Sequence, residues 1–479
     1  MAFQNLYQYS IVKIKVNIHP TVKEAASIFA QAGKQVFLVG GAVRDLLRGK
    51  KAKDWDLATD ARPEEVIALF RKIKTDTAGQ KIRSFVIPTG IKHGTVTVHF
   101  RDLSMEVTTF RSESGYSDGR RPDKVEFGVS IEADLSRRDF TMNAAAYTLP
   151  SGPLVDPFGG QGDIKKRIIR SVGNPEERFA EDGLRPLRAL RFASQLDFKV
   201  DDKVLAAIPG ALQLTAAVAA ERIRDELDKI IASGKPSTAL SHMEKTGLLE
   251  LIIPELAACR GVEQESIYGC HSYDVLDHSL LACDYAASKG MSHELRLAAL
   301  FHDLGKTATA KIDKNGKRTF YQHEKKSSAL ARRIFEHFRY PNAVMKKVCH
   351  LIEEHMFHYE ENWSDAAVRR FVIRAGIENL DDLFALRRAD AYAKAGVEPP
   401  LDFLLPLVKR IEETLARGRF LSIRDLAVSG NDLIAAGIYP GKHMGIILKE
   451  LFEAVLNDPA LNNRETLLDI AGKINKRYS

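Results

Sequence analysis

The sequence predicts a mixed α/β domain over its first third and an all-helical remainder. Three observations carry this. Between about residues 21 and 150, short β-branched and aromatic runs alternate with helical stretches and turn residues. After Asp156-Pro157-Phe158-Gly159-Gly160, leucine- and alanine-rich amphipathic stretches take over, with few strand signals. The chain has 479 residues, enough for about three domains.

The elements follow in order. Residues 1–20 read as a leader in which Ile11-Val12-Lys13-Ile14-Lys15-Val16 alternates with lysines, unlike the apolar core of a signal peptide. Thr21 to Ala32 is helical. Gln35-Val36-Phe37-Leu38-Val39 is a buried strand. Gly40-Gly41 ends it and lets the backbone turn and approach a ligand closely. The helix that starts at Ala42 offers free N–H groups and a positive dipole end, which suits a triphosphate.

Thirteen positions after Gly41 comes Asp54-Trp55-Asp56. Two aspartates two apart on a strand point to one face, while Trp55 and Leu57 bury the other. Paired hard oxygens on one face are what Mg²⁺ needs beside a nucleotide phosphate. Either half alone is ordinary: Gly-Gly is mostly a turn, and D-x-D is mostly a solvated strand. The combination points to metal-assisted nucleotidyl transfer.

Pro63 opens a helix through Phe70. Gly94 to Phe100 and Met105 to Phe110 alternate as a hairpin. Glu106 then lies beside the aspartate pair as a third carboxylate, with Met105 and Val107 facing the core. Ser112 to Pro122 reads as a polar loop. Asp134 to Ala144 places Arg137, Arg138 and Asp139 before an apolar helix, with Arg138 suited to phosphate and Asp139 to a ribose hydroxyl. In Glu181 to Arg191, Asp182, Arg185, Arg188 and Arg191 recur every third residue, and Pro186 fixes a helix start there.

Breaks near Pro254–Gly269 and Pro399-Pro400 complete the division: leader 1–20, head 21–155, helical neck and body 156–265, histidine-rich domain 266–400, helical tail 401–479. The formal net charge of +7 is a modest basic excess, consistent with an anionic partner such as RNA. Cys259, Cys270, Cys283 and Cys349 lack metal-ligand spacing and read as reduced packed thiols. No run of about 18 apolar residues occurs, so no membrane span is expected and the cytoplasm is the default compartment.

The segments Leu38 to Asp45, Asp54 to Asp56, Glu106 to Arg111, Arg137 to Thr141 and Glu181 to Arg191 resemble, in order, those of class II CCA-adding tRNA nucleotidyltransferases, with bacterial poly(A) polymerases as relatives. The resemblance implies a polymerase-β-like nucleotidyltransferase head followed by helical neck, body and tail. It implies Mg²⁺ on Asp54 and Asp56. It assigns Gly41, beside Gly40, with Arg44 and Arg138 to the nucleotide. Asp182 and Arg185 would read the base, with Arg188 and Arg191 in the pocket wall. CTP, ATP and the tRNA 3′ end are the implied partners. The rivals are poly(A), CC-only or A-only addition, and an HD phosphohydrolase whose head only binds nucleotide.

The base-reading role has its own chemistry. Cytosine and adenine both present an amino donor beside a ring-nitrogen acceptor. A carboxylate accepts from the first and a guanidinium donates to the second. Uracil and guanine reverse the pattern, at a cost on the order of 1–3 kcal/mol for each mismatched buried group.

In residues 270–400, Asp277-His278 begins a helix, His302-Asp303-Leu304-Gly305-Lys306 ends another, and Asp390 lies on a third. This resembles the HD phosphohydrolase domain, implying His278, His302, Asp303 and Asp390 as metal ligands. Imidazole with carboxylate suits a divalent transition metal such as Ni, Mn, Co or Zn. Lys306 could pair with a phosphate. His323 and His355 are extra histidines that read as packed residues or as support for a second metal.

Overall fold

The computed structural model describes residues 17–73, 75, 81–115, 123–264, 273–316, 318–400, 402, 404–416 and 422–477. The chain divides into two compact units at Pro254/Glu255.

The first unit is built on a seven-stranded sheet. Its strands are β1 (Val36–Val39), β2 (Trp55–Thr59), β3 (Ser84–Gly90), β4 (Thr95–Phe100), β5 (Leu103–Thr109), β8 (Ala146–Thr148) and β9 (Leu154–Val155), in the spatial order β3-β4-β5-β2-β1-β8-β9. Only β2 and β5 run parallel; the other neighbours are antiparallel. Strand alternation places Trp55, Leu57, Val96, Val98, Met105 and Val107 on one face. That face packs on helices α1 (Pro20–Gln31) and α3 (Pro63–Arg71) through Phe29 and Phe70. A smaller core of Phe37, Val39, Ala58, Phe110, Ile131, Leu135 and Ala146 lies elsewhere in the unit.

Helix α2 (Gly41–Leu47) leaves β1 through Gly40, whose φ of 68° lies in the left-handed region that favours glycine. A short hairpin, β6 (Arg111–Ser114) with β7 (Lys124–Phe127), leads to α4 (Ile131–Ser136). Helices α5 (Gly160–Lys166), α6 (Pro175–Glu181) and α7 (Arg185–Leu196) follow.

Three expectations are corrected. Asp54 sits in the bend before β2, not on it, because the strand pairing begins at Trp55↔Met105. Ser112 to Ser114 is strand instead of loop, paired with Lys124 to Glu126; residues 116–122 lie outside the described residues. No apolar helix follows Asp139: Thr141–Asn143 is a single 3₁₀ turn leading into β8. The backbone of Thr141 is pressed against Gly160, where an added Cβ would stand 2.1 Å from the Thr141 carbonyl oxygen.

Among its described residues, the second unit is helical apart from the two short strands Lys311–Ile312 and Arg318–Thr319. The helices Val275–Ser288, His293–Phe301, Asn342–Glu354 and Leu380–Ala395 pack on one another, with His323–His337 against Asn342–Glu354. The last helices, Lys442–Asn457 and Arg464–Asn475, close a separate core around Leu433, Ile447, Leu451 and Leu467.

Candidate functional site

Asp56 and Glu106 are direct partners across the parallel strands β2 and β5, so both carboxylates leave the sheet on the same face. They open into a cavity of about 850 Å³. Every residue expected at the head site lines it: Gly40, Gly41, Arg44, Asp54, Asp56, Glu106, Arg138, Asp139, Asp182, Arg185, Arg188 and Arg191. Burial, with the neighbouring Glu106, pushes the Asp56 carboxyl up to about 6, and Arg138 opposes the shift. Ionised together, these acids call for a cation. A Cβ on Gly40 would stand 3.3 Å from Arg138 Nη1 and 3.5 Å from Asp56 Oδ2, so a bare backbone keeps this corner open.

The arginines are held from behind. Arg44 donates to both oxygens of Asp45 and to Asn143 Oδ1 at 3.2 Å. Arg138 donates to the buried Asp134 at 3.2 Å. Asp139 accepts from the Phe140 backbone N–H, from Asn143 Nδ2 and, on its other oxygen, from Nε and Nη2 of Arg188. Burial opposes its ionisation, but the Arg188 guanidinium outweighs that and holds its carboxyl down at about 2.

Asp182 lies between α6 and α7, not on a helix. Its Oδ1 accepts from Leu184 N at 3.1 Å and its Oδ2 from Arg222 at 2.8 Å. Arg185 donates to the carbonyls of Arg178 and Arg137, both at 3.1 Å, and to Glu181 at 2.5 Å. Arg191 pairs with the buried Glu226 at 2.5 Å and lies 3.8 Å from the ring centroid of Phe192, which Arg44 and Arg188 also approach.

Sequence reasoning missed Arg222, Glu226, Phe192, Asn143 and Asp134. Arg222 and Glu226 lie four apart on the helix Ala220–Ile231, a spacing that by itself reads as a solvated stripe. The only sequence signal was an acid and a base spaced to share one face of an amphipathic helix.

In the second unit, His278, His302, Asp303 and Asp390 bring their donor atoms within 4.8 Å of one another, all buried. His302 follows the last turn of His293–Phe301, and this helix end lets the adjacent His302 and Asp303 face one point. Asp303 divides its two oxygens. Oδ2 lies 3.2 Å from both His278 Nε2 and His302 Nε2, and accepts from Lys306 at 2.6 Å. Oδ1 lies 3.2 Å from His323 and 3.8 Å from His355.

Asp303, His323 and His355 thus form a second donor group. Asp303 Oδ1 and His323 Nε2 are buried without a hydrogen bond. Lys306 also donates to Gln264, so it braces the cluster in this structure. Burial lowers the His302 proton affinity, but Asp303 and Asp390 prevail and push it up to about 9. Burial, with His302 beside it, drives His355 down to about 3.

Three family models match the chain: "Poly A polymerase head domain" over residues 36–170, "Probable RNA and SrmB- binding site of polymerase A" over 197–260, and "HD domain" over 268–395. The CCA-adding enzyme of Levilactobacillus brevis is 32% identical over 443 residues, covering 91% of this chain and 94% of that protein. That of Limosilactobacillus reuteri is 32% identical over 468 residues, covering 97% and 100%. Among solved structures, the Bacillus stearothermophilus CCA-adding enzyme in complex with CTP has a TM-score of 0.68 at 28% identity, covering 96% of this chain and 99% of that one.

Proposed function

Because the chain belongs to the family of CCA-adding enzymes, we propose that its head transfers CMP and AMP from CTP and ATP to the 3′ end of tRNA. The observation that carries the reading is the Asp56–Glu106 pair, which opens with Asp54 into the arginine-lined cavity. Asp54, Asp56 and Glu106 are the residues to hold Mg²⁺: all three are hard oxygen donors, and Asp56 and Glu106 repel each other until a cation arrives. Bound there, Mg²⁺ supplies Lewis-acid activation of the 3′ hydroxyl and charge neutralisation at the leaving group. In the transfer, the 3′ hydroxyl gives its proton to solvent and its oxygen bonds to the α-phosphorus, while the bond from that phosphorus to the α–β bridging oxygen breaks and pyrophosphate leaves. Arg44 and Arg138 face its charge, and Gly40 and Gly41 admit the phosphates. We read Asp139 as the anchor of Arg188 and not as a ribose acceptor, because four donors already fill its carboxylate.

Asp182 and Arg185 remain the proposed base readers. Arg185 has five N–H groups, three of them engaged, so two are left for the incoming base. Its firm attachment supports a pre-set template. The tRNA and nucleotides place the work in the cytoplasm in this reading; among the described residues, no helix is long and apolar enough to cross a membrane.

A second reading is favoured by the buried histidine cluster. We propose that the 266–400 region is a metal-dependent phosphohydrolase acting on phosphate monoesters or cyclic phosphates at RNA ends. His278, His302, Asp303 and Asp390 would hold one divalent transition ion, and Asp303, His323 and His355 a second. The unsatisfied Asp303 Oδ1 and His323 Nε2 support the fit. Such ions supply an activated water and a Lewis acid when bound.

The test supplies each labelled nucleotide separately with tRNA lacking its 3′ end, tRNA-C, tRNA-CC and an unstructured oligoribonucleotide. CMP onto the first two and AMP onto tRNA-CC is the expected outcome. Repeated AMP on the oligoribonucleotide would make the chain a poly(A) polymerase. Only CMP, or only AMP, would make it a partial enzyme.

A further inference from the structure

The two faces of the head sheet differ. One is buried along β2, β4 and β5. The carboxylate-bearing face is less covered toward β4 and β3, where Thr95, Thr97 and His99 are half-buried and Ile87 is 38% exposed.

Register organises that less covered half into rows. Asp56 pairs with Glu106, Glu106 with Thr97, and Thr97 with Ile87. The adjacent row on the same face runs from Ser104 to His99 to Phe85. The His99 and Phe85 rings are stacked, with centroids 4.5 Å apart and planes inclined at 15°. The exposed Arg83 lies 5.3 Å over the Phe85 ring. With strands about 4.8 Å apart, this stack begins roughly 10 Å from β2.

Chemistry then assigns directions. The residues that face the triphosphate, Gly41 and Arg44, lie on the β1 side of Asp56, whereas Glu106 and β4 lie on the other side. In-line displacement puts the attacking and leaving oxygens on opposite sides of the phosphorus. Pyrophosphate leaves toward β1 and α2. The 3′ oxygen must therefore arrive from the β5 side, with the RNA that carries it extending over β4 and β3.

We propose that this less covered face is the platform for the single-stranded 3′ end of the acceptor RNA. A terminal base stacks on the His99–Phe85 pair and Arg83 meets a backbone phosphate. Stacking on an aromatic surface tolerates any base, which suits an acceptor whose last nucleotide changes as the end grows. The proposal rests on the nucleotidyl-transfer reading of the head. It is continuous with that site through the row of paired residues, and Arg83 at its outer edge has the sign that RNA needs.

The experiment uses the full chain with an acceptor-stem RNA hairpin carrying 2-aminopurine at its 3′ terminus, and the same hairpin with an ordinary end for turnover. Wild type is expected to quench the fluorophore on binding. Phe85→Leu and His99→Leu, which keep apolar bulk without a ring, are expected to relieve the quench. They should raise KM for the RNA about tenfold and leave KM for CTP unchanged. Phe85→Tyr should restore both signals. Arg83→Ala should weaken RNA binding and flatten its salt dependence. Variants with wild-type KM for the RNA and only a lower melting temperature would make the stack a cross-strand stabilising pair and overturn the platform alone. Wild type that adds nothing to any RNA would overturn the transfer reading and the platform with it.

Discussion

Asp56 carries a carboxyl pushed up to about 6 by burial and Glu106. Its raised value has a definite sign. Between the ordinary carboxylate value and about 6, the unfolded chain ionises it while the folded chain keeps it protonated, so metal-free stability falls as pH rises through that window. Asp56→Asn should therefore raise the melting temperature of chelator-treated protein more at pH 8 than at pH 4.5, and nucleotide addition should vanish. An equal shift at both pH values would deny the strain. Asp54→Ala should abolish addition with an unaltered melting curve.

At Arg185 the readout is selectivity. Arg185→Ala should cut the preference for CTP and ATP over UTP and GTP on the order of tenfold. A uniform loss across four nucleotides would make Arg185 a phosphate contact. His302, pushed up to about 9 by Asp303 and Asp390 against its burial, is charged at neutral pH without metal. The stability it lends the metal-free protein is full below its ordinary value and is lost as pH rises through about 9. Metal loading must displace that proton. Titration calorimetry with Mn²⁺ in two buffers of different ionisation enthalpy should show proton release at pH 7 and little at pH 9.5.

Elements differ in how much of them the sequence revealed. The strand carrying Glu106 was legible because Met105 and Val107 alternate with it, and the structure buries both. The α7 start was legible because Pro186 is tolerated only in a first turn. The helix Ala220–Ile231 was not legible as part of the site. Its contribution is tertiary: Arg222 reaches Asp182, forty residues back, and Glu226 is 2% exposed beneath Arg191. A local charge pattern cannot distinguish a solvated stripe from one buried against α7. Likewise, Thr141 to Asn143 looked helical by composition, but the segment is a single 3₁₀ turn whose backbone packs directly on Gly160, a tertiary contact that local composition does not show.

The helix makes its own prediction. Glu226→Ala leaves Arg191 buried without its carboxylate and should destabilise the protein by about 3–5 kcal/mol. Glu226→Gln should cost less and keep nucleotide addition. Denaturant unfolding reads the difference, and a loss below about 1 kcal/mol would mean that water replaces the pair.

At the scale of the whole chain, each proposed chemistry has its own ligand set. Asp54, Asp56 and Glu106 lie in the first unit, and His278, His302, Asp303 and Asp390 in the second, with no residue shared. Separate ligand sets imply separable activities. His302→Ala/Asp303→Ala should lose bound transition metal and any phosphate release, and should keep CMP and AMP incorporation near the wild-type rate. One preparation serves both assays: phosphate release from a generic diester and a 2′,3′-cyclic nucleotide, and labelled incorporation into tRNA lacking its end. The cluster also sets the choice of controls. Asp303 braces Lys306 and faces four histidines, so its removal takes the counter-charge from Lys306 and from His302 at once. His278→Gln, which keeps polarity and bulk, therefore accompanies the double variant. Wild type silent toward both phosphoesters with Mg²⁺, Mn²⁺, Ni²⁺, Co²⁺ and Zn²⁺ would reduce the cluster to a structural knot. Loss of nucleotide addition in both His278→Gln and the double variant, with unchanged melting curves, would show that the second unit shapes RNA binding by the first, and the two activities would no longer be separable.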